Sequence, residues 1–430
     1  MTKVFIAEQE TLLEVQKQVD KLTNNLLPLD KPIYAMVIHE ASDLNPNSRV
    51  EYLGANKNFT PMSMNMSTHA MNYGSWADWS WLKANVPVMC NFDGGIDYYL
   101  NPNDYTKKAD GTDSDVSNVD YAGDAMSVIQ KIYKKEYKVG NDRYVFFCER
   151  KVDEDFKAVG FNVLGKERDY MLIPMFYGSI DANGKMRSIA GQWSCLTASG
   201  NASDNTTGTA IGTAEQYAAI QKASKNGLFF GGALVNTLAD ICVLLSKSTN
   251  SQAAFGYGMC STYVEDKAQH YGTQINTVVG GGQFYGSSDQ KSFNKIFHSC
   301  VMGSYMLWQR DPYMLLKNGR ILVSPDYTYD LTGATYLDTG VDLAANGYYA
   351  TTRVIEDFGS VPTDELVCSS ATGYCDHTWV NATILAVSLR FGDCNHGLTD
   401  GLFARALTDV AANAWWACAA SKLLPAPAAA

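Results

Sequence analysis

The chain has 430 residues, 46% of them hydrophobic and 18% charged, a composition that supports a sizeable buried core and excludes a disordered or fibrous protein. Thirty-four basic against forty-five acidic side chains leave a net charge of −11, which argues against nucleic acid as a partner because tracking phosphates requires clustered Lys and Arg. The N-terminus MTKVFIAEQETLLEV lacks the apolar core of a signal peptide, and no apolar run approaches the roughly 18 residues of a membrane span, so synthesis in the cytoplasm without membrane insertion is expected.

Leu12, Val15, Val19, Leu22 and Leu26 follow the alternating three-four spacing of a coiled-coil seam, and the same spacing suits an amphipathic helix packed on its own domain. Leu27-Pro28 and Lys31-Pro32 end this N-terminal helix, assigned to residues 1–30. From about residue 60 the chain turns to short segments rich in Asn, Gly and aromatic residues, such as NYGSWADWSWL and FDGGIDYYLNPNDY. Met126, Ile129, Ile132 and Tyr133 share a helical face, with Gly140 beyond them, and predict a helix over 122–137. DRYVFFCER and DYMLIPMFYG read as strands, and DANGK at 181–185 carries a hairpin signal.

After the polar loop SGNASDNTTGTAIG, Thr213-Ala-Glu-Gln216 fits a capping box opening a helix that Gly227 closes. Leu234, Val235, Leu238, Ile241, Cys242 and Leu245 then form the stripe of a helix packed on a core. Glycine-rich VVGGGQFYG follows, then the strand-like GRILVS and GYYATTRVI, and finally WVNATILAVSLRFG. The fold class expected from few long helices, many short strands and long irregular loops is α+β. Ten cysteines spread along the chain read as mostly free buried thiols.

Chemistry-bearing patterns are sparse. Cys368, Cys375 and His377 have a six-residue first gap and no fourth ligand, which is poor spacing for structural zinc. Between Asp104 and Asn118, Asp110, Asp113 and Asp115 offer oxygens that calcium accepts, without the full spacing of a twelve-residue calcium loop. No metal site and no cofactor are expected, with calcium the one candidate left open. No G-x-S-x-G occurs, and the six histidines stand in unrelated contexts. A carboxylate pair for glycoside hydrolysis, drawn from residues 90–120 or later loops, stays open because only separation in space tests it.

The segment LRFGDCNHGLTDGLFARALTDVAANAWWACAA, residues 389–420, combines an R-x-G, a G-x-x-x-G-L-F and a small-residue and aromatic run. It resembles the variable region of diversity-generating retroelement proteins, which are receptor-binding proteins with a C-type lectin (formylglycine-generating-enzyme-like) fold, many of them carried on phage tails. The matching residues are Arg390, Gly392, Gly397, Gly401, Leu402, Phe403, Ala411, Ala412, Asn413 and Trp416. Upstream, KSTNSQAAFGYG at 247–258 and MLIPMFYGSIDANGKMRSIAG look like phage tail proteins of gut-bacterial prophages. One departure is Asp393, where many members carry a second glycine.

The resemblance implies a receptor-binding adhesin of a virion tail, not an enzyme. It implies a tail-associated region at 31–210 and a lectin-type domain at 211–430, with variable residues at 389–420. Arg390, Gly392, Gly397, Gly401, Leu402, Phe403 and Trp416 would form the scaffold. The ligand-binding positions would be Asp393, Cys394, His396, Leu398, Asp400, Ala404, Ala406, Thr408, Asp409, Trp415 and Ala417. Family members diversify asparagine codons at their adenines. Randomising the first two bases of AAC or AAT yields Asp, Cys, His, Leu, Ala and Thr but never Trp, so Trp415 and Trp416 would be template residues or arise from another codon. Partners implied are a bacterial surface receptor of protein or glycan, other tail proteins and two further copies in a homotrimer, for which the N-terminal seam is suited. The alternatives are a tail-associated glycan hydrolase and a fixed structural tail protein. Variable side chains are expected to project to solvent from a rigid frame, so that changes alter binding without altering stability.

Overall fold

A computed structural model describes residues 31–41, 44–192, 194, 211–261, 282–365, 367–414 and 417–427. Strand residues outnumber helical ones, 36% to 14%, in a mixed architecture. The coiled-coil seam at 12–26 lies outside the described residues, as do Trp415 and Trp416.

Three sheets carry the fold. A four-stranded antiparallel sheet runs Val50–Gly54, Tyr34–His39, Asp142–Cys148, Tyr133–Val139. In it His39 sits opposite Asp142, and its Nδ1 lies 2.8 Å from the Asp142 carboxylate, with Glu51 3.6 Å from the other ring nitrogen. The hydrogen bond to Asp142, opposed by partial burial and aided by both acidic charges, raises the His39 pKa above its usual value. Stabilisation from the charged ring is therefore complete below the unfolded-state value, about 6.5, and is lost as pH rises through the folded-state value. His39→Gln is expected to flatten the melting temperature profile between about pH 6 and pH 8, where the parent declines. Parallel profiles for the two proteins would refute this.

The second sheet has seven strands, in the order Leu228–Phe229, Lys422–Pro425, Tyr170–Pro174, Gly123–Gln130, Pro87–Asn91, Ile96–Asn101, Asp104–Lys108. Strands from both sides of residue 210 thus hydrogen-bond within one sheet, and one hydrophobic core continues from Met36 to Leu423. This sheet and the first together correct the helix expected over 122–137, where two strands, Gly123–Gln130 here and Tyr133–Val139 in the first sheet, stand instead. Ala125, Met126, Val128 and Ile129 are buried on both faces of a central strand. Such a strand shows no alternation, so its apolar run imitates a helix.

The helix at Thr213–Ala223 exists, with its cap one residue earlier than the sequence pattern indicates. Glu215 accepts the Gly212 N–H at 2.9 Å, while the Thr213 hydroxyl accepts instead from Arg310 Nη1 at 3.0 Å. The expected strands at 142–148, 170–174 and 320–323 and the hairpin around DANGK are all present. Eight of the nine described cysteines are buried.

The longest helix among the described residues, Gly232–Ser246, is buried nearly all round rather than along one stripe. Each of its leucines, at 0% exposure, contributes about 1.5–3 kcal/mol by burial. Its polar residues are all engaged, Asn236 and Thr237 with backbone carbonyls and Asp240 with two cations. This central helix is the floor on which the third sheet rests. That sheet has eight strands, seven in the order Leu337–Asp342, Arg320–Val323, Trp308–Lys317, Leu385–Arg390, Arg405–Asp409, His377–Val380, Gly347–Tyr348, and Cys418–Ala419 pairs alongside Trp308.

Candidate ligand-binding surface

The C-terminal segment is anchored by its frame residues. Arg390 projects to the inner face of the third sheet, where Nε donates to the Asp311 carboxylate and Nη2 donates to Asn236 Oδ1 at 3.0 Å. The other Asp311 oxygen accepts the Gly232 N–H at 2.8 Å, so this ion pair ties the strand to the first turn of the central helix. Gly392, at φ +105°, lies against Asp400, and a Cβ there would stand 1.8 Å from a carboxylate oxygen. Gly401, at φ +150°, faces Asp376 in the same way, with both oxygens 2.3 Å from a would-be Cβ. Leu402 is buried and donates its N–H to Ser251, and Phe403 donates its N–H to Asp376 at 2.8 Å and packs on Tyr374. Gly397 donates to the Cys260 carbonyl at 2.8 Å. These contacts hold Arg390, Gly392, Gly397, Gly401, Leu402 and Phe403 against the rest of the fold.

The positions between them correct the expectation that all project to solvent. Leu398 is 46% exposed, and His396 and Thr408 are half-buried, whereas Asp393, Cys394, Asp400, Ala404, Ala406, Asp409 and Ala417 are buried. The physical reason is local. Asp393 accepts the Asn395 N–H at 2.9 Å and pairs with His396 Nδ1 at 2.7 Å, so it closes the loop instead of facing outward. Asp409 accepts from Asn413 Nδ2 at 2.8 Å and from the Thr408 hydroxyl. Neither Asp400 oxygen has a hydrogen-bond partner of normal geometry. Burial, then the neighbouring Asp393 and Asp376 carboxyl groups, push its pKa well above the usual carboxylate range.

The outer face of the third sheet carries a different kind of surface. Trp379 lies beside Ala406 in register, so both point away from the central helix, together with His377 two residues earlier. Tyr348 meets His377 edge-on at 4.8 Å, and His377 lies 4.4 Å from Trp379. His396 approaches Trp379 at 4.7 Å and the buried Trp308 at 5.6 Å. Tyr348, His377, Trp379 and His396 are all half-buried, and beneath them Trp308, Leu389, Ala406, Ala417 and Cys418 form a small apolar cluster. Ala406 and Ala417 lie under the rings rather than at the surface.

Burial and then the charge of His396 lower the His377 pKa, so at neutral pH this ring is an uncharged donor and acceptor among π faces. Its Nδ1 is buried without a partner. Aromatic rings with imidazole edges suit stacking against a ring or apolar group with polar atoms at its rim.

His396, Ala406 and Ala417 are the sequence-predicted positions that reach this face. Sequence reasoning missed Tyr348, Trp308 and Trp379 and placed His377 only in a metal context. The alternation His377-Thr378-Trp379 on a strand was the available signal. Among the described residues, no group of three His, Cys, Asp or Glu stands close enough to hold a metal ion. The calcium candidates diverge into separate turns: Asp104 and Asp110 cap Thr106 and Thr112, Asp113 pairs with Lys107, and Asp115 accepts from Tyr98 and Asn118. Asp110, Asp113 and Asp115 are held below the usual range, chiefly by Thr112, Lys107 and Asn118, opposite to what a general acid needs.

No helix among the described residues is long and apolar enough to cross a membrane. No protein-family model matches the chain, and no curated protein matches it.

Proposed function

We propose that the protein is a receptor-binding adhesin of a phage or prophage tail, with a C-type lectin-like C-terminal region whose outer aromatic face contacts a bacterial surface ligand. The observation that carries the reading is the convergence of the 389–420 segment on Tyr348, His377 and Trp379 over a frame held by buried ion pairs and glycines. A rigid frame under a half-exposed aromatic surface is what a site needs if its rim changes while its fold does not. A homotrimer would multiply weak single contacts into avidity.

Burial restricts which positions can vary. Asn395, His396, Leu398 and Thr408 have side chains that reach solvent, whereas Asp393, Cys394, Ala404 and Ala417 do not. Deep sequencing of codons 389–420 in a growing population, with the adjoining DNA, tests this. Expected are a near-copy differing at adenines beside a reverse transcriptase gene and variation concentrated at 395, 396, 398 and 408. An invariant segment with no near-copy would sink the retroelement reading. Variation at 393, 394, 404 and 417 would sink the burial argument.

A further inference from the structure

On the inner side of the same strands a small cleft of about 40 Å³ opens between the central helix, the paired strands Thr352–Ile355 and Gly359–Pro362, and the loops that carry Tyr374 and Phe403. Its walls include Tyr349, Pro362 and Phe403, and its polar lining includes Ser360, Asp376 and Arg405. Arg405 alternates with Ala406, so the cleft and the aromatic face lie on opposite sides of one strand.

The charge count around Arg405 does not close. Arg390 and Arg405 are both buried and both donate to Asn236 Oδ1 at 3.0 Å. The carboxylate they share is Asp311, which bonds directly to Arg390 and stands 4.0 Å from Arg405 Nη1. Two guanidinium groups against one carboxylate leave one positive charge in excess, and Arg405 Nη1 has no hydrogen-bond partner. The neighbouring ionic network offers no counter-charge, because Lys134, Lys138 and Arg143 are matched by Glu40, Glu136 and Asp240.

A buried guanidinium without a full partner is costly unless an anion completes it. Asp376 does not play that part. It accepts the Phe403 N–H at 2.8 Å, and burial raises its pKa well above the usual carboxylate range.

We infer that this cleft binds a small ligand through a single carboxylate group, with Arg405 as the charged partner and Tyr349, Phe403 and Pro362 as the apolar walls. One excess positive charge matches a carboxylate, whereas a phosphate dianion would leave a negative charge buried. The small, aromatic-walled cleft, partly open to solvent, suits a carboxylate borne on a short acid or at the edge of a sugar-sized ring. The inference stands apart from the adhesin reading, since the cleft lies on the other face of the sheet and uses residues whose variation that reading does not require.

Isothermal titration calorimetry of the full chain with sodium glucuronate, sodium acetate and glucose at constant ionic strength tests it. Binding of glucuronate, or of glucuronate and acetate alike, without binding of glucose is expected. The first result assigns a ring-borne acid and the second a bare carboxylate. Arg405→Gln should weaken the binding by at least about tenfold, the loss of one charge-assisted hydrogen bond. Because Arg405 also supports Asn236, Ser360→Trp at the half-buried wall provides a second variant that should block the cleft without touching the ion pairs. No carboxylate binding, glucose binding as well as glucuronate, or glucuronate binding unchanged in Ser360→Trp would overturn the inference.

Discussion

Asp240→Ala is expected to lower unfolding stability by about 3–5 kcal/mol, enough to remove most of the soluble protein at 37 °C if total stability is ordinary. Asp240 sits in the middle of the central helix at 1% exposure. One of its carboxylate oxygens accepts from Lys134 Nζ at 2.7 Å and from Arg143 Nη2 at 2.5 Å, and Glu136 pairs with both cations as well. Burial opposes the charged form of Asp240, but the nearby Arg143 and Lys134 outweigh it and its pKa is lowered. Truncation leaves two fully buried cations facing one carboxylate, and the penalty is mostly that of the uncompensated charge rather than of the lost contact. Urea denaturation read at the midpoint checks the value. Replacing Lys135, whose ammonium pairs with surface Asp155, serves as the control and should change stability by less than about 1 kcal/mol. A mild effect of Asp240→Ala, similar to that control, would show that the network is not what fixes the helix to the first sheet.

Gly392→Ala should destabilise by about 2–6 kcal/mol, combining roughly 1–3 kcal/mol of backbone strain with roughly 1–3 kcal/mol of overpacking. Its φ of +105° is a conformation that side chains rarely adopt, and the added methyl would stand 1.8 Å from Asp400 Oδ1 and 2.0 Å from Cγ. Asp400 has no room to retreat because it is itself buried. Gly397→Ala makes the comparison informative. That residue also has a positive φ, +61°, yet a Cβ there would meet nothing within 4 Å, so only about 1–2 kcal/mol of strain is expected. Thermal melts of the two variants side by side should therefore separate strain from collision. Equal losses would mean that Asp400 rearranges freely, and the frame would then be less rigid than the buried contacts imply.

Much of the architecture was legible before the fold. The strands at 142–148 and 170–174, the hairpin at 181–185 and the helix at 232–246 all follow from local spacing or motif. The strand at 123–130 did not, because a strand buried on both faces and a buried helix carry the same apolar run, and only hydrogen bonding to Pro87–Asn91 and Tyr170–Pro174 separates them. Exposure within 389–420 was equally hidden. Asp393, Asp400 and Asp409 have solvent-seeking side chains in any sequence scale, yet they face inward because a loop, a glycine and a neighbouring strand close over them.

By itself the amino-acid sequence determined the strand-rich composition, the local turns and the glycine positions of the C-terminal frame, since these depend on interactions between near neighbours. Tertiary structure alone decided which residues share a surface. Tyr348, His377, Trp379 and His396 are separated by up to 48 positions and meet only through the pairing of strands and the loop that Asp393 closes. Arg405 and Asp311 stand almost a hundred residues apart, and their incomplete pairing exists only because the strand at 405–409 and the central helix bury both. Long-range packing sets such relations, and no local pattern encodes them.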